Sequence, residues 1–174
     1  MNPGSYQTNI PSQMVRLDFV GIFGSVYEHS PWIAEQTFDN GLTEIHNNAE
    51  ELHFAMVSVV EAADKEQQLA LLRAHPDLAG KLAVNGNLTA DSTSEQAGAD
   101  LNNCTAEEFA AFQSLNDRYQ EKFGFPFILA VRGYHRMEIL EIFKQRVENN
   151  IETEFDEALA QVHRIALLRL QTIT

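Results

Sequence analysis

The sequence predicts an all-α protein, a single-domain bundle of about eight helices with a long functional loop between the middle helices. Three observations carry this. Apolar residues recur at helical spacing through most of the chain, as in Leu52, Met56, Val59 and Val60. Helix-start signals precede these runs, among them Ser30-Pro31, Asp64 and Thr105-x-x-Glu108. One stretch, Arg73 to Asp100, breaks the pattern with a His-Pro pair, an Asn- and Gly-containing run and a Ser-Thr-Ser-Glu-Gln cluster. Connections in compact domains usually run to about 4–6 residues, so a stretch of this length is a candidate for function.

A length of 174 residues fits one domain with a substantial buried core. Residues 1–11 are polar, with Pro3, Gly4 and Pro11, and read as a flexible lead-in to a helical domain over 12–174. The balance of 12 Lys+Arg against 25 Asp+Glu gives a net charge of −13. That argues against nucleic acid and anionic membrane surfaces as partners, because basic patches supply the attraction to both. A small anionic ligand would need a local cationic group against this field. The single cysteine, Cys104, excludes an intramolecular disulfide and a Cys-rich metal site, and no neighbouring His marks it as a nucleophile. No apolar run approaches the roughly 20 residues of a membrane span. Neither a secretory leader nor a peroxisomal C-terminal address is visible, so a cytoplasmic location is expected.

Taken in order, Ser12 is placed to cap a first helix with apolar positions Leu17, Val20, Phe23 and Val26. Ser30-Pro31-Trp32 opens a short second helix ending before Asn40-Gly41. Thr43 begins a long helix to about Ala63, with Ile45, Leu52, Met56, Val59 and Val60 facing inward. Glu50-x-x-His53, with His46 one turn earlier, resembles half of a di-iron pattern, but no second copy exists and no metal site is expected. Asp64 caps the next helix, Lys65 to Arg73. Thr105 to Glu108 starts a helix carrying Phe109, Phe112, Leu115 and Tyr119, with Lys122 in its last turn. Gly124 then permits a left-handed turn, and Ile128–Val131 reads as either a short strand or the approach to a helix. The last two helices are expected over Tyr134–Asn149 and from about Thr153 to Leu170.

The central stretch holds the chemistry. Proline disfavours the α region for the residue before it, so the helix ending in QQLALLRA should stop near Ala74 and leave His75 extended before Pro76. Leu78, Leu82, Val84 and Leu88 suggest that the stretch packs. Two readings stay open for it. His75 is either a helix-stop residue or a titratable group on a stiff backbone, and Ser92-x-x-Glu95 is either a capping box or a pair of functional side chains. Near the C-terminus, Arg169 starts from an apolar stripe, where a guanidinium is costly to bury without an anionic partner.

The motif A-H-P-D-L-A-G-K-L followed by L-T-x-x-S-x-x-E-Q-x-G-A resembles the signature of the OHCU decarboxylases. Ser30–Glu35, Leu115–Tyr119, Phe123–Ile128 and Ile165–Leu170 add matching segments, so the resemblance runs in order from about Pro11 onward. That family acts on 2-oxo-4-hydroxy-4-carboxy-5-ureidoimidazoline, a late intermediate of urate breakdown. The resemblance implies His75 and Glu95 as an acid/base pair, Pro76, Ser92 and Gln96 as pocket residues, and Phe127 and Ile128 as a loop bordering the substrate. It implies Arg169 as the anion contact and Arg146 with Asn149 as a structural pair. Family members usually carry a second Arg where Leu167 stands here. No cofactor is implied, because the substrate's own ring can accept electrons, and a homodimer is expected. The competing reading is a helical small-molecule-binding or interaction protein in which His75 and Glu95 only terminate helices.

Overall fold

Side-chain caps set most helix starts in the computed structural model, which describes residues 4–80 and 88–174. Among the described residues there are eight α-helices and no strand, only a single bridge between Ser5 and Asn48. The helices are α1 (Arg16–Phe23), α2 (Trp32–Asp39), α3 (Ala49–Ala62), α4 (Lys65–Arg73), α5 (Ala90–Gly98), α6 (Ala106–Phe123), α7 (Arg136–Arg146) and α8 (Ile151–Leu170). The chain forms two compact units, one of Met1–Ala74 with Val162–Thr174 and one of His75–Gln161. No described helix is long and apolar enough to cross a membrane.

In the first unit α1 packs on α2 and α2 on α3. Its core includes Phe19, Phe23, Ile33, Leu52, Met56, Val60, Leu71 and Leu72. Three expectations shift here. Ser12 does not cap α1: it lies in a 3-10 turn, Pro11–Gln13, where its backbone N–H donates to Asn47 Oδ1 at 2.9 Å and its hydroxyl accepts from Asn47 Nδ2 at 2.9 Å. The buried stripe of α1 is Phe19 and Phe23, while Leu17 is 82% exposed. The long helix from Thr43 is two elements, because Asn48 accepts the Glu50 N–H at 2.9 Å and caps a fresh helix at Ala49. His46 therefore lies in the 3-10 turn Glu44–Asn47, apart from the helix that carries Glu50 and His53, and Ile45 is exposed. Within the first eleven residues Tyr6 is buried and donates its N–H to Asn47 O at 2.9 Å, and the Asn9 N–H donates to Thr174 O at 3.0 Å.

In the second unit α6 packs on α7 around Phe112, Tyr119, Phe123, Phe125, Phe127 and Phe143. The capping box at α6 forms in both directions, with Thr105 N–H to Glu108 Oε2 at 3.0 Å and Glu108 N–H to Thr105 Oγ1 at 3.1 Å. Gly124 closes the helix at φ +75°, in the left-handed region that glycine adopts without a Cβ penalty. Helix α7 is shorter than expected, starting at Arg136 after a His135 cap, and Met137 faces outward. Ile128–Val131 is buried yet neither helical nor a strand; the Ala130 N–H is satisfied by Gln161 Oε1 at 3.0 Å.

Candidate active site

Helix α4 stops at Arg73 with Ala74 as its cap, as a following X-Pro pair dictates. His75 is then non-helical and 8% exposed, a titratable ring taken almost wholly out of water. The backbone after Pro76 is held by side-chain amides. Gln96 on α5 donates through Nε2 to Asp77 O at 3.4 Å and accepts the Ala79 N–H on Oε1 at 3.1 Å. From α6, Asn116 Nδ2 donates to Leu78 O at 3.0 Å and Gln113 Nε2 to Ala79 O at 2.9 Å. The segment they hold is strained: Ala79 has φ +49°, where its Cβ crowds the backbone.

Helix α5 removes the capping-box reading of Ser92-x-x-Glu95. Thr89 is the cap, its hydroxyl accepting the Ser92 N–H at 3.2 Å. Ser92 and Glu95 thus lie inside the helix and are not a capping box. With Gln96 they occupy positions i, i+3 and i+4, which share one helix face. Ser92 and Gln96 are buried and Glu95 is half-buried. In the expected functional loop, Leu78 is buried and Leu88 half-buried, while Leu82, Val84 and the Asn and Gly residues beside them lie outside the described residues.

Burial, then the charge of Asp117, pushes the Asp77 carboxyl above the usual carboxylate range. Asp77 lies inside the His-Pro-Asp motif, directly after Pro76. Phe127 is fully buried and stacks face to face on Phe143, with ring centroids 3.8 Å apart. The Arg146 guanidinium lies 4.5 Å above the Phe127 ring and donates through Nη1 to Ile128 O at 2.5 Å. Its charge is met by Glu154, 0% exposed, which accepts from Arg146 Nε (2.8 Å), Tyr119 OH (2.6 Å) and Asn149 Nδ2 (2.9 Å). Glu154 carried no motif signal, since it reads as one acidic residue in the first turn of α8.

Arg169 belongs to the other unit and is 5% exposed. Its Nη1 donates to Glu28 Oε2 at 2.7 Å and to Val26 O at 3.3 Å. Glu28, 2% exposed, is the anionic partner a buried guanidinium requires, and sequence reading missed it because it stands in a polar connection between α1 and α2. His75, Pro76, Ser92, Glu95, Gln96, Phe127 and Ile128 all belong to the second unit. The Cys104 thiol is pushed up by burial and by Glu108, unlike a nucleophilic cysteine. No group of three or more His, Cys, Asp and Glu among the described residues is placed to hold a metal ion. A buried imidazole just before a turn that Gln96 holds, and a helix face with a hydroxyl and a carboxylate, are groups suited to proton transfer on a small polar ligand.

A model of the family described as OHCU decarboxylase matches residues 12–171. The 2-oxo-4-hydroxy-4-carboxy-5-ureidoimidazoline decarboxylase of Haloferax volcanii is 43% identical over 161 residues, 91% of this chain and 92% of that protein. The mouse protein of the same name is 36% identical over 88% of this chain and 84% of its own. The uric acid degradation bifunctional protein of Bacillus sp. is 38% identical over 93% of this chain, which spans only 31% of that longer protein. Among solved structures, (S)-allantoin synthase matches with a TM-score of 0.71 at 32% identity, over 92% of this chain and 51% of that one. An OHCU decarboxylase solved in the presence of (S)-allantoin shares the fold, with a TM-score of 0.64 at 24% identity over 80% of this chain and 87% of that one.

Proposed function

The chain belongs to the OHCU decarboxylase family, and from that premise we propose that it converts 2-oxo-4-hydroxy-4-carboxy-5-ureidoimidazoline to (S)-allantoin and CO2 in urate degradation. The observation that carries the reading is the buried His75, followed two residues later by a turn that Gln96 ties at Asp77 and Ala79 to the helix α5 bearing Ser92 and Glu95.

The substrate's carboxylate is attached to the hydroxyl-bearing carbon next to a ring C=N bond. When the bond to the carboxylate breaks, its electron pair forms a ring C=C bond and the C=N pair moves onto nitrogen, which takes a proton. The hydroxyl then gives up its proton as the ureido-bearing carbon gains one, which restores a carbonyl and sets the stereocentre. The ring is thus its own electron sink, and the protein has to orient the carboxylate and manage protons on one face.

His75 serves as the acid/base at the hydroxyl or carboxylate, and Glu95 orients or recharges it. Ser92 and Gln96 hydrogen-bond the polar ring and ureido group, Pro76 fixes His75, and the Phe127–Ile128 segment borders the substrate through its backbone. Arg169 binds the carboxylate; Glu28 offsets its charge and fixes its orientation. We place the enzyme in the cytoplasm as a homodimer. The test is CO2 release and optical rotation with freshly generated substrate. Catalysed release with one enantiomer of allantoin supports the reading. Uncatalysed rates, with no stabilisation by allantoin in a thermal-shift assay, overturn it in favour of a non-catalytic helical protein.

A further inference from the structure

We propose that Asn116 and Gln113, two amides three residues apart on α6, are positioning residues: they hold the 77–79 turn and through it the His75 ring, a role that rests on the decarboxylase reading above. Their donors take two successive carbonyls, Leu78 O at 3.0 Å and Ala79 O at 2.9 Å, while Gln96 holds the flanking Asp77 O and Ala79 N–H from α5. Two helices therefore fix one turn, α6 by donating to two carbonyls and α5 by donating to one carbonyl and accepting one N–H.

Two features say that this grip is not simply stabilising. The turn is one the chain disfavours, because Ala79 is held at φ +49° without being glycine. Asn116 is itself buried with its Oδ1 lacking a hydrogen-bond partner among the described residues. A buried acceptor left unmade costs stability that an aliphatic side chain of similar size would not. An amide with that defect, spent on pinning a strained backbone, fits selection for geometry.

The link to His75 is short. Pro76 locks one torsion and the peptide units are planar, so few soft torsions separate the His75 Cα from the clamped Asp77 carbonyl. A shift at Leu78 consequently moves the ring, and a misplacement of about 1 Å is enough to cost about 100-fold in rate.

The experiment compares wild type, Asn116→Leu and Gln113→Leu. It measures folded fraction by circular dichroism, kcat and KM, the pH profile of kcat/KM, and the NMR titration of the His75 ring without substrate. The expected result is a folded Asn116→Leu with kcat lowered about 10–100-fold, KM changed much less, and a displaced pH profile and His75 titration. Gln113→Leu should show the same signs more weakly. Wild-type kcat and pH profile in a folded Asn116→Leu, or a rate loss equal to its unfolded fraction, overturns the proposal. If Asn116→Leu does not fold, Gln113→Leu decides by the same criteria. If wild type itself releases no CO2, the decarboxylase reading fails; an unchanged His75 titration in the variants then discards the clamp as well, and a displaced one retains it.

Discussion

Arg169 Nη1 donates to Glu28 Oε2 at 2.7 Å, and both side chains are buried. Removing one partner leaves an uncompensated buried charge, at a cost of about 3–5 kcal/mol, whereas replacing both with well-packed apolar groups is often neutral. Glu28→Gln and Arg169→Met should each lower the melting temperature strongly, and the Glu28→Met/Arg169→Met pair should recover most of that loss. Because Arg169 is assigned to the substrate carboxylate, the double variant should stay inactive although stable. Activity in the stable double variant would reduce the pair to a structural one.

Thr89 and Ser92 separate capping from chemistry on α5. Thr89→Ala removes the cap and should cost about 1 kcal/mol of stability, read as a lower melting temperature. Ser92→Ala keeps the cap, since only the Ser92 backbone N–H enters it. Its expected signature is a loss in kcat/KM with the melting temperature little changed.

Ala79 tests how the turn is determined. Glycine there relieves the left-handed strain but adds freedom to the unfolded chain, two effects of about 1 kcal/mol each and opposite in sign. Ala79→Gly should therefore melt close to wild type and keep its turnover, because the amides and not residue 79 set the turn. A β-branched residue is stiffer at positive φ, and Ala79→Val should lose several degrees.

His53 and His163 give a pH dependence. Burial lowers both below the ordinary 6.5. His53 Nε2 donates to His163 O at 2.8 Å, while His163 lies 2.9 Å from Tyr27 OH through Nδ1 and 3.3 Å from Glu61 through Nε2. A group whose folded pKa is depressed contributes stability that is present above its unfolded value and lost as pH falls. Their contribution should be intact above about pH 6.5 and decline below it. His53→Gln, which cannot take the proton, should flatten part of the fall in melting temperature between neutral and mildly acidic pH. An equal fall in wild type and variant would rule that out for His53.

Where a cap and an apolar stripe coincide, the sequence was readable. Asp64 fixed the start of α4, Thr105 with Glu108 fixed α6, and Gly124 ended it. Where two caps compete, it was not. Asn48 restarts a helix that Thr43 was expected to carry through, and Thr89 takes the cap that the Ser92-x-x-Glu95 spacing imitates. The residues proposed for the site could be named from the family motif they match. Their supports could not, because Glu28 meets Arg169 across 141 residues and the bonds from Gln113 and Asn116 go to backbone, which leaves no pattern in side-chain identity.

His75→Ala, assayed for CO2 release and for the optical activity of the allantoin formed, tests the acid/base assignment most directly. The variant should fold, bind allantoin in a thermal-shift assay, and release CO2 no faster than the uncatalysed reaction. Turnover near that of wild type in the folded variant would contradict the assignment and move the proton chemistry to another group.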